Sequence, residues 1–499
     1  MREILEKYEE RKLNLFETLY ANEDWMPIPV LAKTLHCSEK TLKQDVLSLK
    51  ELLAKDYLQT SYRGVCLFLP TNMSIEMVYR LILKESTHFL FLESLFHDET
   101  KSLDEMAEFL YISSPTLART IKKFNLVLED YTLKILTNPC RLEGPESTIR
   151  SFYISYFMEK CTHFDWPYPT IDRKIFENFI VLSAKFIHTP LNFSDFERVK
   201  HWIAVSLIRT QKGHYMDIKP NSLAKYIPDL TKFRFILKPL ENIMNISFQP
   251  EFIEQVFAVF LTNSFAFTYD QLIKEAETDP VLKKSIALLS DMLDSLSNQF
   301  KVPIPNKKHL LLDLYNLSKI VSRPNKHIRK TPYILFDQKE YFVRSLEKDV
   351  PNFIHSATKQ IRYYQQEMNL IFSRHSIDEL IYTLVIHWDN LLVELHKQRR
   401  KAKLLIISTY DLEHAKMLRD LINIQYGGDV VSELYMEPRL SLKLLKNMDY
   451  DILISTTSID YPLDKKVFCI QNIPTEQNLR DLKLAIDVIR KENTVLLEE

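Results

Sequence analysis

One sequence pattern occurs twice in this chain, within residues 31–50 and again 75 positions later within residues 106–125. Both copies read Φ-Ala-x-x-Leu-x-x-Ser-x-x-Thr-Leu-x-x-x-Φ, where Φ is an apolar residue. The apolar positions have helical spacing, and the serine of each copy can cap a second helix after a short turn. This is the pattern of a helix-turn-helix, and two copies in tandem predict binding to double-stranded DNA.

In the first copy, Ser38 would cap the second helix, whose apolar residues face inward. The outer side is polar and could meet the major groove, where lysine contacts phosphates and glutamine or threonine reads base edges. We predict DNA contacts from Lys40, Thr41, Lys43, Gln44 and Lys50. Residues 57–69 have the pattern of two strands around a turn, and this wing would bring Arg63 to the DNA.

In the second copy, Ser102 and Glu105 can form a capping box for the first helix, and Ser113 can cap the second. The same reasoning predicts DNA contacts from Thr116, Arg119, Lys122 and Lys123. Residues 131–142 suggest a second pair of strands, which would bring Lys134 to the DNA. Each unit is therefore expected to be a winged helix-turn-helix.

Charge limits how this chain can bind nucleic acid. Residues 1–150 hold 19 Lys and Arg against 23 Asp and Glu, although a DNA-binding domain usually carries a basic footprint. Residues 113–141 hold five basic and two acidic residues, whereas residues 38–63 hold five and four. The second unit is therefore expected to be the better DNA-binding face, and the modest polar faces also allow recognition of DNA shape.

Glycine is scarce, with five residues in a chain of 499, whereas average usage is about 7%. Neither G-x-G-x-x-G nor the P-loop pattern occurs, which argues against the usual nucleotide sites. The five cysteines form no C-x-x-C, and the sequence shows neither a signal peptide nor an apolar stretch of membrane-spanning length. We expect a mainly α-helical cytoplasmic protein without a cofactor or a bound metal.

The order of the predicted elements indicates several domains. The expected boundaries are 1–70 and 71–145 for the winged units, 146–170 for a connector, 171–285 and 286–397 for two helical blocks, and 401–499 for an α/β domain. A connecting helix is expected over residues 152–166. In the last segment, short apolar strands alternate with helices, which is typical of a small parallel sheet.

This order resembles the Mga/AtxA family of Gram-positive virulence regulators, which carry phosphotransferase-regulation domains. The resemblance covers nearly the whole chain. It is carried by residues 74–79, 86–89, 109–114, 209–214, 335–339, 382–383 and 414–416. It implies a transcriptional regulator, an activator of virulence-type genes rather than an enzyme, which binds promoter DNA as a homodimer or larger assembly.

By the same resemblance, the two helical blocks are regulation domains in which a phosphotransferase carrier protein can phosphorylate histidines. The candidate acceptors are His201 and His387, whereas Asp313 and Tyr315 stand where the family carries histidine. The last hundred residues would resemble a sugar-transporter IIB domain. Because residues 408–412 lack the nucleophilic cysteine of such a domain, we expect it to serve dimerisation or partner sensing and not phosphotransfer.

Three alternatives stay open at this point. A phosphotransferase-system regulator of a sugar operon would have the same architecture. A phosphoryl-relay protein with a catalytic α/β domain is opposed by the missing cysteine. An RNA-binding antiterminator, in which regulation domains also occur, is opposed by the two helix-turn-helices, which stand in place of a small β RNA-binding module.

Overall fold

The structure is a computed structural model. It describes the chain apart from residues 23, 54–56, 187–190, 218–233, 245–246, 248, 258–265, 267, 323–332, 460–462 and 493–499. The chain forms two compact units. The first comprises residues 1–266, 318–338 and 370–372, and the second comprises residues 267–317, 339–369 and 373–499. Helix predominates along the described chain, as the sequence predicts.

The first unit begins with two helix-turn-helices of the same design. One consists of α1 (Lys7–Tyr20), α2 (Ile28–Thr34), α3 (Glu39–Leu52), β1 (Leu58–Ser61) and β2 (Gly64–Leu67). The other consists of α4 (Glu76–Glu85), α5 (Thr87–His97), α6 (Leu103–Phe109), α7 (Ser114–Leu128), β3 (Lys134–Thr137) and β4 (Cys140–Glu143). Short 3₁₀ turns lie at Arg2–Ile4 and Glu129–Tyr131. The tandem arrangement predicted from the repeat is confirmed.

Each helix-turn-helix is followed by an antiparallel hairpin, β1–β2 in the first and β3–β4 in the second. Met26 adds a backbone bridge to the first hairpin: its N–H donates to the Val65 carbonyl at 2.8 Å, and the Val65 N–H donates back at 2.9 Å. This close approach requires glycine at the neighbouring position. Gly64 has φ +124°, and a Cβ there would lie 2.0 Å from the Met26 carbonyl oxygen.

The helix α8 (Glu146–Lys160) follows the second hairpin. It begins and ends six residues earlier than the connecting helix that the periodicity predicts. Its start is not visible in the apolar pattern of the sequence. The first turn contains Glu146 and Arg150, which are polar but lie in a buried ion-pair network. The helices α9 (Arg173–Phe186), α10 (Phe193–Gln211), α11 (Arg234–Met244) and α12 (Pro250–Phe257) follow in the first compact unit.

One apolar core runs through the first unit, from the winged helices into α8, α10 and a segment at residues 334–336. In this segment, Phe336 stacks on Tyr79 of α4 with ring centroids 4.6 Å apart. The carboxylate of Glu159 on α8 accepts the N–H groups of all three segment residues, including Phe336 at 3.2 Å. Burial raises the pKa of Glu159 to about 7, although these hydrogen bonds lower it. The segment is thereby fixed against the winged units.

The described residues between 269 and 397 form further helices. They are α13 (Tyr269–Ala276), α14 (Pro280–Phe300), α15 (Lys307–Val321), α16 (Gln338–Glu347), α17 (Pro351–Glu367), α18 (Arg374–His387) and α19 (Leu391–Lys397). In the second unit α14 packs on α17, and the hydroxyl groups of Ser285 and Tyr364 hydrogen-bond at 2.7 Å in that buried contact. The Trp388 indole N–H donates to the Pro303 carbonyl at 3.0 Å.

The second unit ends with a small parallel sheet. Its strands are β5 (Ala402–Ile407), β6 (Val430–Leu434), β7 (Ile452–Ser455) and β8 (Lys466–Cys469), and its helices are α20 (Leu412–Tyr426), α21 (Leu442–Asn447) and α22 (Glu476–Glu492). The strand order is β6-β5-β7-β8, and every neighbouring pair is parallel. Alternate residues of β5 enter two apolar clusters, one on each face of the sheet. A small parallel α/β arrangement, as predicted, is confirmed.

Replacing Gly64 by alanine should open the first hairpin. A Cβ cannot remain 2.0 Å from the Met26 carbonyl oxygen, so we expect the Met26–Val65 pairing to be lost, at a cost of about 2 kcal/mol or more. Hydrogen exchange at the Met26 and Val65 amides measures this. Gly428→Ala is the matched control, because a Cβ there meets nothing within 4 Å. Unchanged exchange at both amides in Gly64→Ala would contradict the prediction.

Candidate nucleic-acid interface

The turn between the paired helices has the same backbone geometry in both units. His36 and Tyr111, which are 75 residues apart, adopt left-handed conformations with φ of 51° and 56°. In each turn the N–H of the next residue donates to the carbonyl oxygen of the alanine of the repeat. Cys37 donates to Ala32, and Ile112 donates to Ala107, both at 3.0 Å. This is the hydrogen bond of a Schellman motif. A non-glycine residue pays about 1–2 kcal/mol for this conformation, so the surrounding packing must hold the turn.

Ser38 caps α3 and Ser113 caps α7, as predicted. The Ser38 hydroxyl oxygen accepts the Thr41 N–H at 3.1 Å, and the Ser113 hydroxyl oxygen accepts the Thr116 N–H at 3.3 Å. The hydroxyl groups within each pair also hydrogen-bond to one another, at 2.8 and 2.7 Å. The structure therefore places both threonine hydroxyls in the caps.

Most of the predicted contacts lie on the outer faces of α3 and α7. The exposed cations without an ion pair to any described carboxylate are Lys40, Lys43, Arg119 and Lys122. Gln44 is exposed as well, and Lys50 is half-buried near the end of α3. Because these four cations have no partner within the described chain, their charge is available to phosphate groups.

Two of the predicted cations bind within the protein instead. The Lys123 ammonium donates to the Leu5 carbonyl at 3.1 Å. The Lys134 ammonium pairs with the Glu143 carboxylate across the second hairpin at 2.7 Å. Sequence spacing marks both lysines as outward-facing but does not show these partners, which come from other elements.

The two hairpins are held differently. Arg63 lies exposed at the tip of the first, with its guanidinium 5.7 Å from the ring centre of Tyr62. In the second, the side-chain amide of Asn125 on α7 binds the backbone of Ile135 on β3. It accepts the Ile135 N–H at 2.7 Å and donates to the carbonyl at 3.1 Å. Asn125 therefore fixes the wing to the recognition helix, a role that sequence reasoning missed.

Asp45 is a second positioning residue that sequence reasoning missed. It lies on the inner side of α3, is 4% exposed, and forms a two-point ion pair with Arg11 of α1, with Nη2 to Oδ1 at 2.9 Å. A buried carboxylate needs such a partner, because desolvation of an unpaired charge is costly. The available signal was a charged residue between the core-facing Leu42 and Val46.

A buried network joins the second winged unit to the helices that follow it, and we call it the Glu146 network. Arg150 on α8 and Arg209 on α10 are 0% and 1% exposed and both bind Glu146, at 2.9 and 2.7 Å. Arg209 also contacts Glu99, which follows α5, and His214 Nε2 lies 2.5 Å from the other Glu99 oxygen. Burial disfavours the charge of Glu99, but the His214 hydrogen bond and Arg209 bring its pKa below the usual range.

The two candidate phosphate acceptors differ in accessibility. His201 on α10 is 4% exposed, its Nδ1 hydrogen-bonds to the Tyr168 hydroxyl at 2.8 Å, and burial lowers its pKa to about 4. The His387 side chain, at the end of α18, is 44% exposed and its Nδ1 lies 2.7 Å from the Asp313 carboxylate. Among the described residues, none hydrogen-bonds to its Nε2. The structure thus brings together His387 and Asp313.

The described residues contain no group of three or more His, Cys, Asp or Glu side chains that could hold a metal ion. Within the same ranges, every helix falls short of the length or the apolar character that a membrane crossing requires.

Three family models match successive parts of the chain. The M protein trans-acting positive regulator (MGA) HTH domain matches residues 6–65, the Mga helix-turn-helix domain matches residues 71–157, and the M protein trans-acting positive regulator (MGA) PRD domain matches residues 172–391. The two helix-turn-helix matches contain α3 and α7; the second contains its whole hairpin, and the first ends within β2. The third covers most of the two predicted helical blocks.

Three relatives align with this chain over more than nine tenths of both proteins. A candidate trans-acting regulator of Streptococcus pneumoniae is 28% identical over 480 residues, 95% of this chain and 97% of that protein. The capsule synthesis positive regulator AcpB of Bacillus anthracis is 23% identical over 495 residues, 97% of this chain and 99% of that protein. The capsule synthesis positive regulator AcpA of the same organism is 21% identical over 475 residues, 92% of this chain and 95% of that protein.

Proposed function

The chain belongs to the Mga family of transcriptional regulators, which are not enzymes, and from that premise we propose that α3 and α7 bind promoter DNA together. One observation carries the proposal. Each helix begins at a serine cap after the same left-handed turn, and each presents cations that have no protein partner in the described chain. Those cations are Lys40, Lys43, Arg119 and Lys122. They can bind phosphates of either DNA strand along the groove without first breaking an ion pair.

We assign the larger share of the electrostatic contact to the second winged helix-turn-helix, which contains α7. Its recognition region is the more basic of the two. Arg119 can also bind guanine in a bidentate manner, which lysine achieves less specifically. By contrast, Lys123 and Lys134 would have to leave Leu5 and Glu143 before contacting DNA, so we assign them minor roles.

We further propose that the protein activates transcription in the cytoplasm. Two of the relatives carry the name of positive regulators of capsule synthesis, and the family models are named for a positive regulator. The match to the PRD model favours an input from the sugar phosphotransferase system. We place that input in two regulation domains, residues 171–285 and 286–397.

Of the two candidate acceptors, geometry favours His387. A carboxylate that accepts the Nδ1 proton keeps the neutral ring in the tautomer with a lone pair on Nε2. The His387 side chain is 44% exposed, and Asp313 is the carboxylate at its Nδ1. The lone pair would attack the phosphorus of a carrier phosphohistidine, so that the N–P bond of the donor breaks as the new one forms. His201 would first have to leave its buried contact with Tyr168.

The C-terminal segment, residues 401–499, is proposed to be a IIB-like domain that has lost phosphotransfer. After β5 the loop contains Ser408, whose hydroxyl lies 2.9 Å from His414 Nδ1, and no cysteine. Cys469 is exposed on β8 at the edge of the sheet. We propose that this domain forms a homodimer.

An apolar stripe on α20 supports the dimer. Met417, Leu421 and Ile424 follow one another at four- and three-residue spacing and are 37%, 36% and 81% exposed. Residues at this spacing share one helix face. Covering such a face with the same face of a second copy would bury it by two-fold symmetry.

Arg119→Ala with Lys122→Ala should weaken binding to a promoter duplex by about tenfold or more. Loss of two phosphate contacts would also lower the slope of log affinity against log salt by up to about two. Fluorescence anisotropy across a salt series measures both quantities. Lys123→Ala with Lys134→Ala removes the same charge from side chains already engaged within the protein, so affinity should fall less. Equal losses for the two double variants would refute the assignment.

Phosphorylation should depend on His387. When the full chain is incubated with a phosphorylated histidine carrier protein, we expect acid-labile phosphate on the wild type and none on His387→Ala. Asp313→Asn should slow labelling, because the carboxylate that fixes the ring tautomer is lost. His201→Ala is the control and should keep the label. Undiminished labelling of His387→Ala would show that the acceptor lies elsewhere.

Leu421→Lys with Ile424→Lys should convert the proposed dimer to a monomer, because each charge would be buried against its own copy. Light scattering after size-exclusion chromatography measures the mass. Ile473→Lys, at an isoleucine that is 68% exposed and lies outside α20, is the control and should stay dimeric. A wild-type monomer, or a double variant of unchanged mass, would refute this surface.

A further inference from the structure

The outer face of α3 contains an exposed leucine among polar residues. Leu47 is 56% exposed, whereas the inner face of the same helix buries its apolar side chains. Counting from the Ser38 cap, Leu47 is the ninth helical residue. It follows Gln44 by three positions, so the two side chains are neighbours on the helix surface. The helix therefore offers a carboxamide and an apolar group side by side.

Both side chains are available to a ligand. Within the described residues, the Gln44 carboxamide has no hydrogen-bond partner, and Leu47 is absent from the partly buried side chains packed against the core. Lys40 and Lys43 flank the pair on the same side of the helix and are exposed. The inner side is fixed by the Asp45 ion pair, so the outer side is presented without movement of the helix.

Base chemistry distinguishes this face from its counterpart. Glutamine can bind adenine in a bidentate manner through N6 and N7, and an apolar side chain can contact the 5-methyl group of thymine. The residues 75 positions later, at the corresponding places on α7, are Arg119 and Lys122, which suit guanine and phosphate. The two recognition helices therefore differ in the bases that they can read.

We propose that α3 reads A·T base pairs directly, with Gln44 on an adenine and Leu47 against a thymine methyl group. The proposal rests on the proposed binding of DNA by α3 and names what that helix recognises. It makes Leu47 a specificity-determining residue of the first winged helix-turn-helix. Shape recognition alone would need neither of these two contacts.

The experiment removes the methyl group from the DNA and the leucine from the protein. A tight-binding duplex is selected from a randomised pool with the full-length protein, and each thymine is then replaced singly by uracil. For the wild type, replacing at least one thymine in the footprint of the first winged helix-turn-helix should lower the affinity about fourfold, as expected for the loss of a buried methyl-sized group. Leu47→Ala should bind the thymine duplex more weakly and show no further loss with uracil.

Leu126→Ala is the matched control, since Leu126 is 70% exposed near the end of α7 and should leave the uracil penalty unchanged. Replacement of adenine by 7-deazaadenine, which removes N7, tests Gln44 against Gln44→Ala in the same way. Salt-sensitive duplex binding without a uracil penalty, or with a penalty that persists in Leu47→Ala, would overturn the inference and leave DNA binding intact. A wild type that selects no duplex would overturn both.

Discussion

Two guanidinium groups excluded from water determine how the first unit is assembled. Arg150 and Arg209 are almost completely buried, and an unpaired buried ion costs several kcal/mol. Their carboxylate partners come from separate places in the sequence, Glu146 at the start of α8 and Glu99 after α5. The second winged unit, α8 and α10 must therefore meet in one arrangement. Removing one partner of such a network typically costs about 3–5 kcal/mol, because the remaining charge stays buried.

The same unit is closed from another side by the segment at residues 334–336. Its backbone N–H groups bind the Glu159 carboxylate, and its side chains complete the core beneath α4. The apolar core runs without interruption from the winged helices into α10. The recognition helices α3 and α7 are thus presented by a continuous body, and each has its own tether, Asp45 to Arg11 and Asn125 to Ile135. Rigid presentation of this kind favours recognition of a fixed DNA geometry.

Local patterns allowed much of this to be predicted. The serine caps, the short turns between the paired helices, both hairpins and the parallel strands depend on residues close together in sequence, where spacing and residue type carry the information. Long-range pairing was not predictable in the same way. The start of α8 was missed because its polar residues are buried by partners such as Arg209 on another helix. Lys123 and Lys134 look equivalent to Lys122 in sequence, yet only the fold shows their carbonyl and carboxylate partners.

Regulation of the DNA-binding surface is proposed to begin in the second compact unit, which contains residues 373–499. One proposed input is the exposed His387 with its partner Asp313, and the other is the apolar face of α20, which suits a second copy of the chain. Both would act on the outer faces of α3 and α7, and the central claim is that these faces are the DNA-binding surface. Hydrogen–deuterium exchange of the full chain, with and without a bound promoter duplex, tests that claim most directly. We expect protection of α3, α7 and both hairpins when the duplex is bound. Protection confined to other parts of the chain, with α3 and α7 unchanged, would contradict it.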